Sequence, residues 1–389
     1  MHRKKGAREN LVSPNDLKSS DTVIDIVEIE TENPQIAQPS NLSIDEIADN
    51  YSIIFKYPNL ILRLIGLYHK RSDNIALKVY PVVINILLWL NFFKLFLVLD
   101  FFRGKQETFS AQLVLKIGFI IWGFICPFKG TILFFNQELY SREFCFISQL
   151  NLLLIKNTNH IKKIRKRVLI VITVSLLFGI FNSIAVLISF FGPEAMFSAF
   201  SYLVSPLHEL RSSEVHAAYR FLMVIIGSYC SLFWTTSIGY FAAHCLVLTD
   251  IFKIFNEEFK KYIEDYIITP IGNEKLLTKV KSSIDEMITY EKTEKTHFCE
   301  DSFERFRMYH LKACHGVKLL DKCYSLFIAL SLACYITMSF LLLYVIADWS
   351  GNNIDGIMTI MYPFWATSIF SMLLVIVIFP SRINEKVCF

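Results

Sequence analysis

Six long apolar runs divide the sequence, and its basic residues are concentrated in alternate segments between them. Of the 39 Lys and Arg residues, 32 lie before the first run, between the second and third, between the fourth and fifth, or after the sixth. Clear of the membrane boundary, the segments on the opposite side contain only Arg103, Lys105 and Arg211. Because cytoplasmic loops of membrane proteins carry an excess of Lys and Arg, this distribution predicts a multi-pass helical membrane protein whose N-terminus is cytosolic.

Each run is long enough to cross a bilayer, since a membrane-spanning helix needs about 20 mostly apolar residues. Hydrophobic residues make up 53% of the chain, and the mean hydropathy is +0.43. We therefore predict an all-α fold with spans at residues 80–99, 113–135, 168–191, 221–247, 323–346 and 356–379.

Charged residues are rare inside these predicted spans, which argues against an ion pump or a proton relay. The second span carries Lys129 near its cytosolic end, and we expect the side chain to extend toward the inner interface. The chain shows no internal repeat of the kind that builds many secondary transporters, so a transporter is a less favoured alternative.

The chain divides into three predicted regions. Residues 1–50 are polar without a sustained period, which predicts a disordered cytosolic tail. Residues 51–79 are amphipathic and aromatic, and we expect a segment that lies along the inner interface and is interrupted at Pro58. Residues 80–389 form the predicted transmembrane domain.

The longest inner segment, residues 248–322, is too long for a simple loop. Apolar residues recur at helical spacing in 251–268 and 303–320, and the turn-forming sequence 269–273 separates the two stretches. This pattern predicts that helices of the transmembrane domain extend into the cytosol.

The nine cysteines avoid the predicted outer loops. A reducing cytosol keeps inner thiols free, so we expect no disulfide framework. The usual G-protein-coupled receptor has an outer N-terminus and a disulfide between its third helix and an outer loop. This chain is predicted to have neither feature, which argues against that class.

The sequence predicts neither a metal site nor an enzyme. A group of His and Cys residues in the inner segment has a spacing that fits no familiar zinc pattern; it comprises His297, Cys299, His310, Cys314, His315 and Cys323. No hydrolase, metalloprotease or nucleotide-binding motif is present. His244, near the inner end of a span, would suit an intramembrane acyltransferase, but we interpret it as a hydrogen-bonded structural residue. We expect no cofactor.

Aromatic and small polar residues gather in the outer halves of the spans, where they could line a pocket for a small apolar or hydroxylated molecule. Pro363 is expected to kink the last span, beside two of these residues. The candidate ligand-binding residues are Trp122, Asn182, Tyr229, Tyr344, Thr359, Tyr362 and Trp365.

Two stretches resemble a known receptor family. In the first, Pro58 precedes an apolar run that ends in Gly66-Leu67. The second, within residues 306–344, combines a long apolar run with His310, Leu311, Leu319, Leu320, Asp321, Tyr324 and Ser325. Together with the cytosolic N-terminus and charged inner loop, they resemble insect gustatory receptors, whose superfamily includes nematode gustatory-receptor-like proteins.

The resemblance implies a multi-pass chemoreceptor of the plasma membrane. Its expected ligand is a small-molecule tastant, and its expected assembly is a homo- or hetero-tetramer that forms a ligand-gated, nonselective cation channel. The formal charge of +4 suits contact of the inner side with an anionic leaflet of the lipid bilayer rather than with nucleic acid.

The sequence departs from the family pattern at its C-terminal end. The family has seven spans, and its last helix carries Thr-Tyr, five apolar residues and Gln-Phe, whereas this sequence reaches Phe389 soon after its sixth predicted span. Three explanations stay open: a truncated C-terminus, a diverged member, or an overlooked span. The alternative function is a serpentine chemoreceptor that acts through a G protein.

The charge distribution makes a direct prediction about topology. Six spans return the chain to its starting side, so epitope tags attached at Met1 and at Phe389 should both be cytosolic. Antibodies should reach either tag only after cells are permeabilised. Labelling of the C-terminal tag on intact cells would mean that the number of spans is odd and would contradict the assignment.

Overall fold

The computed structural model describes residues 44–68, 74–97, 111–136, 158–191, 213–264, 285–349 and 356–387. In these ranges the chain is all-helical and has no strand, which confirms the predicted fold class. The helices are α1 (Ile44–Ile65), α2 (Ile75–Leu97), α3 (Ala111–Phe135), α4 (Thr158–Phe191), α5 (Ser213–Ile263), α6 (Asp285–Trp349) and α7 (Gly356–Val387).

Helices α2 to α7 are each long and apolar enough to cross a membrane, which confirms the six predicted spans in the described part of the chain. Two of them are much longer than the roughly 20 residues a crossing requires: α5 has 51 residues and α6 has 65. The extra turns lie at the inner ends, within the segment predicted to extend into the cytosol as helices. The predicted break at 269–273 lies outside the described residues.

The boundaries of the N-terminal regions differ from the prediction in two ways. Helix α1 begins at Ile44, so residues 44–50, which we assigned to the polar tail, are helical. The sequence Ser43-Ile44-Asp45-Glu46 has the spacing of a capping box, which explains an early start. The helix also continues through Pro58 instead of being interrupted there.

Helix α1 ends in a glycine-dependent cap. Gly66 has φ +85°, and its amide donates to the carbonyl of Arg63 at 3.2 Å while the amide of Leu67 donates to that of Leu62 at 2.8 Å. These two bonds form a Schellman motif, in which glycine adopts the left-handed conformation without steric cost. The turn leads the chain toward α2.

Helix α1 packs on the inner halves of α4 and α5. Phe55 is fully buried, and its ring stacks on the imidazole of His244 with centroids 4.8 Å apart. The hydroxyl of Tyr240 donates to Oδ1 of Asn59 at 3.1 Å. These contacts offset the backbone hydrogen bond that Pro58 cannot make.

Helix α5 is the central element of the bundle. It contacts each of the other six described helices. In its most apolar window 61% of residues are buried, against 11% to 39% in the other spans. Helix α4 packs mainly on α5, whereas α2 and α6 pack mainly on α3.

Small side chains allow α4 and α5 to approach closely. They recur at every fourth position, at Ser175, Gly179 and Ser183 on α4 and at Gly227, Ser231, Thr235, Gly239 and Ala243 on α5. A Cβ atom added at Gly239 would lie 2.1 Å from Oγ of Ser175, and one added at Gly179 would lie 2.7 Å from Oγ1 of Thr235. Small residues at such spacing are typical of tightly packed membrane helices.

The α4–α5 contact predicts that adding one methyl group at Gly239 lowers the stability of the protein. Gly239→Ala should reduce the free energy of unfolding by about 1–3 kcal/mol, because the added Cβ overlaps Ser175 and the helices must separate. The midpoint of thermal unfolding in detergent, followed by tryptophan emission, measures this change.

Gly118→Ala is the matched control, since a Cβ at Gly118 has nothing within 4 Å. It should leave stability unchanged or raise it by up to about 1 kcal/mol through helix propensity. Adding Ser175→Gly to Gly239→Ala should recover part of the loss. Equal stabilities for the Gly239 and Gly118 variants would contradict the close approach.

Candidate ligand-binding cavity

A cavity lies in the outer half of the bundle, where α3, α4, α5, α6 and α7 meet. The space open to the centre of a water molecule is about 80 Å³, several times what one water needs. The lining residues are Val114, Leu115, Gly118, Phe119, Trp122, Asn182, Val186, Ser231, Trp234, Met338, Leu341, Leu342, Val345, Trp365 and Ile369.

The lining is apolar apart from a few hydrogen-bonding groups. Nδ2 of Asn182 donates to the carbonyl of Phe178 at 3.1 Å, and the hydroxyl of Ser231 donates to that of Gly227 at 2.9 Å. The side-chain oxygen of Asn182 could accept a bond from a ligand hydroxyl. Because no lining residue is charged, the site suits a small, neutral, largely apolar molecule.

Three aromatic side chains form a wall at one side of the cavity. The ring of Phe119 meets Trp365 edge-on at 5.9 Å and Trp122 edge-on at 6.1 Å. Behind them lies a second cavity of about 30 Å³, which the same three residues also line, together with Asn91 and Ser189. The two spaces are therefore separated by shared aromatic side chains.

Three of the seven predicted ligand-binding residues meet at the main cavity. Trp122, Asn182 and Trp365 come from α3, α4 and α7, and their side chains line one space. Tyr362 is 3% exposed and packs edge-on against Trp365 at 5.9 Å, so it supports a lining residue without lining the cavity itself.

Two of the other three predicted residues lie elsewhere, and the side chain of the third is not described. The hydroxyl of Tyr229 is hydrogen-bonded to the hydroxyl of Tyr80 at 2.9 Å, linking α5 to α2. Tyr344 is 37% exposed on the surface of α6. The side chain of Thr359 lies outside the described residues, although its backbone belongs to α7.

Sequence reasoning missed several lining residues, most of them aliphatic. Met338, Leu341 and Val345 have the helical spacing of one face of α6, but the whole helix is apolar there, so its pattern does not distinguish a cavity from lipid. Trp234 lies at mid-span on α5, next to the polar Ser231 and Thr235, and this mixture was a usable signal.

Lys129 corrects one prediction. Instead of extending to the inner interface, its side chain is fully buried at the centre of the bundle. Its amino group donates to the hydroxyl of Tyr335 and to the carbonyl of Trp234 at 3.5 Å. It also lies 5.2 Å from the ring centroid of Phe327. The side chain points inward because α5 and α6 supply these partners.

Lys129 therefore joins three helices beside the cavity. It reaches from α3 to α5 through Trp234, which lines the cavity, and to α6 through Tyr335. The rings of Trp234 and Tyr335 meet edge-on at 5.9 Å. A change in the position of Trp234 would therefore alter its contacts with Lys129 and with Tyr335.

His244 has a structural role in the described contacts. Its Nδ1 lies 2.8 Å from the carbonyl of Tyr240, one turn earlier in α5, and its ring is enclosed by Phe55 and Tyr324. This arrangement agrees with the prediction of a hydrogen-bonded packing residue.

In the described residues no group of three or more His, Cys, Asp or Glu side chains is placed to hold a metal ion. In the group of His and Cys residues noted in the sequence, Sγ of Cys314 lies 3.5 Å from Nε2 of His310. The side chains of His297 and Cys299 lie outside the described residues.

Comparison with known proteins identifies no family for the chain. No protein-family model matches it, and no curated protein matches it significantly.

The buried lysine gives a prediction about stability. Lys129→Ala should lower the free energy of unfolding by about 2–5 kcal/mol, because it leaves a cavity where three helices meet. Lys129→Met keeps most of the volume and should cost less than about 1.5 kcal/mol. Thermal unfolding of the two purified variants separates packing from hydrogen bonding. If methionine were as costly as alanine, the bonds of the amino group would be the main contribution.

Proposed function

We propose that this chain is a gustatory-receptor-like chemoreceptor that binds a small, neutral, largely apolar molecule in the outer half of its helical bundle. The observation that carries the proposal is the cavity in which Trp122, Asn182 and Trp365 meet. Its walls are suited to recognising shape with one or two hydrogen bonds.

The lining favours a receptor over an enzyme or an ion-coupled transporter. Acid–base or nucleophilic catalysis needs a titratable or activated side chain within reach of the substrate, and none of the residues lining the cavity is charged. Coupled ion transport uses ionisable groups in the spans. Lys129 is such a group, but it does not line the cavity. In the described structure it contacts aromatic rings, a hydroxyl and a backbone carbonyl instead.

The same arrangement offers a way to convert binding into a response. Five helices contribute to the cavity wall, so a ligand that fits one arrangement of these helices better than another shifts the equilibrium between them. Couplings of this kind are typically about 1–3 kcal/mol. We propose that the response is the opening of a nonselective cation pore in a homo- or hetero-tetramer at the plasma membrane.

Binding can be tested with tryptophan as the reporter, because three of the five tryptophans in the chain line the cavity. The probe is 1-aminoanthracene, a small apolar fluorophore that accepts energy from tryptophan. Gly118→Leu should abolish this transfer, because its side chain would fill open space in the cavity. Gly118→Ala should bind the probe nearly as well as the unmodified protein.

A cellular assay extends the test to function. Cells that express the chain are screened with small alcohols and terpenoids for calcium entry, and responses are compared with those of Gly118→Leu and of Tyr344→Ala, which alters a surface position. Only the first variant should lose the response. Probe transfer that survives Gly118→Leu would overturn the cavity as the site, and calcium signals that need a G protein would favour the serpentine receptor.

A further inference from the structure

A lipid-facing groove lies in the inner half of the bundle, separate from the two outer cavities. Helices α4 and α7 form its walls and α5 forms its floor, and the space open to the centre of a water molecule is about 200 Å³. The lining residues are Ile170, Val171, Val174, Ser175, Phe178, Ile238, Gly239, Ala242, Ser371, Met372, Val375 and Phe379.

The groove exists because α5 presents small residues to it. Gly239 and Ala242 form the floor, and the close approach of α4 at Ser175 holds one wall in place. The rim is open, since Ile170 is 52% exposed and Val174 is 47% exposed. From Ile170 to Phe178 the groove follows α4 for about 12 Å at 1.5 Å per residue.

Basic residues continue both walls toward the inner side. On α4, Arg167 lies one turn before Val171, and Lys163 lies two turns before Ile170. Both therefore lie on the groove side of the helix, toward its inner end. On α7, Arg382 and Lys386 follow Phe379 in the same way.

Two acidic residues offset part of this charge. Asp250 accepts from Arg167 at 2.5 Å, and Glu385 lies 3.0 Å from Lys386. Lys163 and Arg382 are exposed, so the inner mouth of the groove keeps positive charge on both sides.

We propose that this groove binds an anionic phospholipid of the inner leaflet, with one acyl chain along α5 and the phosphate between Lys163 and Arg382. Apolar walls at bilayer depth suit an acyl chain, and basic side chains at the inner interface suit an anionic headgroup. The small floor residues Gly239 and Ala242 allow the acyl chain to lie close to α5, which contacts every other described helix.

Charge decides against a second copy of the chain as the occupant. Exposed Lys163 and Arg382 lie at the inner mouth on both walls, so a partner copy that docked the same mouth there would bring like charges together. A lipid phosphate supplies the opposite sign. The proposal concerns a different site from the ligand cavity, and it stands or falls separately from the proposed function.

Photolabelling tests the proposal with the full chain in phosphatidylcholine nanodiscs. Trace phosphatidylserine or phosphatidylcholine carries a diazirine on its acyl chain, and labelled peptides are identified by mass spectrometry. Phosphatidylserine should label residues 170–178 and 371–379 more strongly than phosphatidylcholine does. Lys163→Gln with Arg382→Gln should reduce phosphatidylserine labelling about thirtyfold, since each of the two basic residues near the surface contributes about 1 kcal/mol.

Two further variants make the test specific. Lys318→Gln with Lys322→Gln removes the same charge from exposed positions on α6 and should leave labelling unchanged. Ser371→Phe, which fills the groove from a half-buried position, should reduce labelling by both lipids. Equal labelling by the two lipids, equal effects of the two charge-neutralising variants, or a crosslink between two copies through the groove would each overturn the proposal.

Discussion

The close approach of α4 and α5 is the contact on which the rest of the structure depends. In lipid the helices gain little from hydrophobic burial against one another, so their association relies on backbone proximity and on packing. Gly179 and Gly239 provide that proximity, because side chains of any size at these positions would overlap Thr235 and Ser175. With α4 fixed on α5, one side of the ligand cavity and one wall of the lipid groove are in place.

The sequence was sufficient to predict the spans and their helical extension into the inner segment, but not where the extended helices begin and end. A run of apolar residues and a bias in Lys and Arg are local properties of the sequence. Both can be recognised without knowing which residues contact each other in the fold. The continuation of α5 to Ile263 is supported by packing beyond the membrane, where Phe255 and Phe259 contact Phe306 of α6 with ring centroids 6.0 and 5.5 Å apart. The early start of α1, by contrast, was readable in its capping sequence.

Sequence reasoning failed where a side chain's direction depends on distant residues. Lys129 was expected at the interface, but its partners Trp234 and Tyr335 are 105 and 206 residues away in the sequence. The same limit affects the cavity. The depth of an aromatic residue can be read from its place in a span, and this was enough to find Trp122 and Trp365. The side of the helix cannot be read when the helix is apolar all round, which is why Tyr344 was grouped with them.

The two candidate sites share helices, and this has a thermodynamic consequence. On α7, Ile369 lines the outer cavity, and Ser371 and Met372, within the next turn, line the inner groove. On α5, Trp234 faces the cavity and Ile238, one turn further, lines the groove. A molecule that moves α7 against α5 at one site must alter the width of the other. Because such coupling is reciprocal, a lipid that favours one spacing of α5 and α7 changes the affinity of the cavity by the same factor as a cavity ligand changes the affinity of the groove.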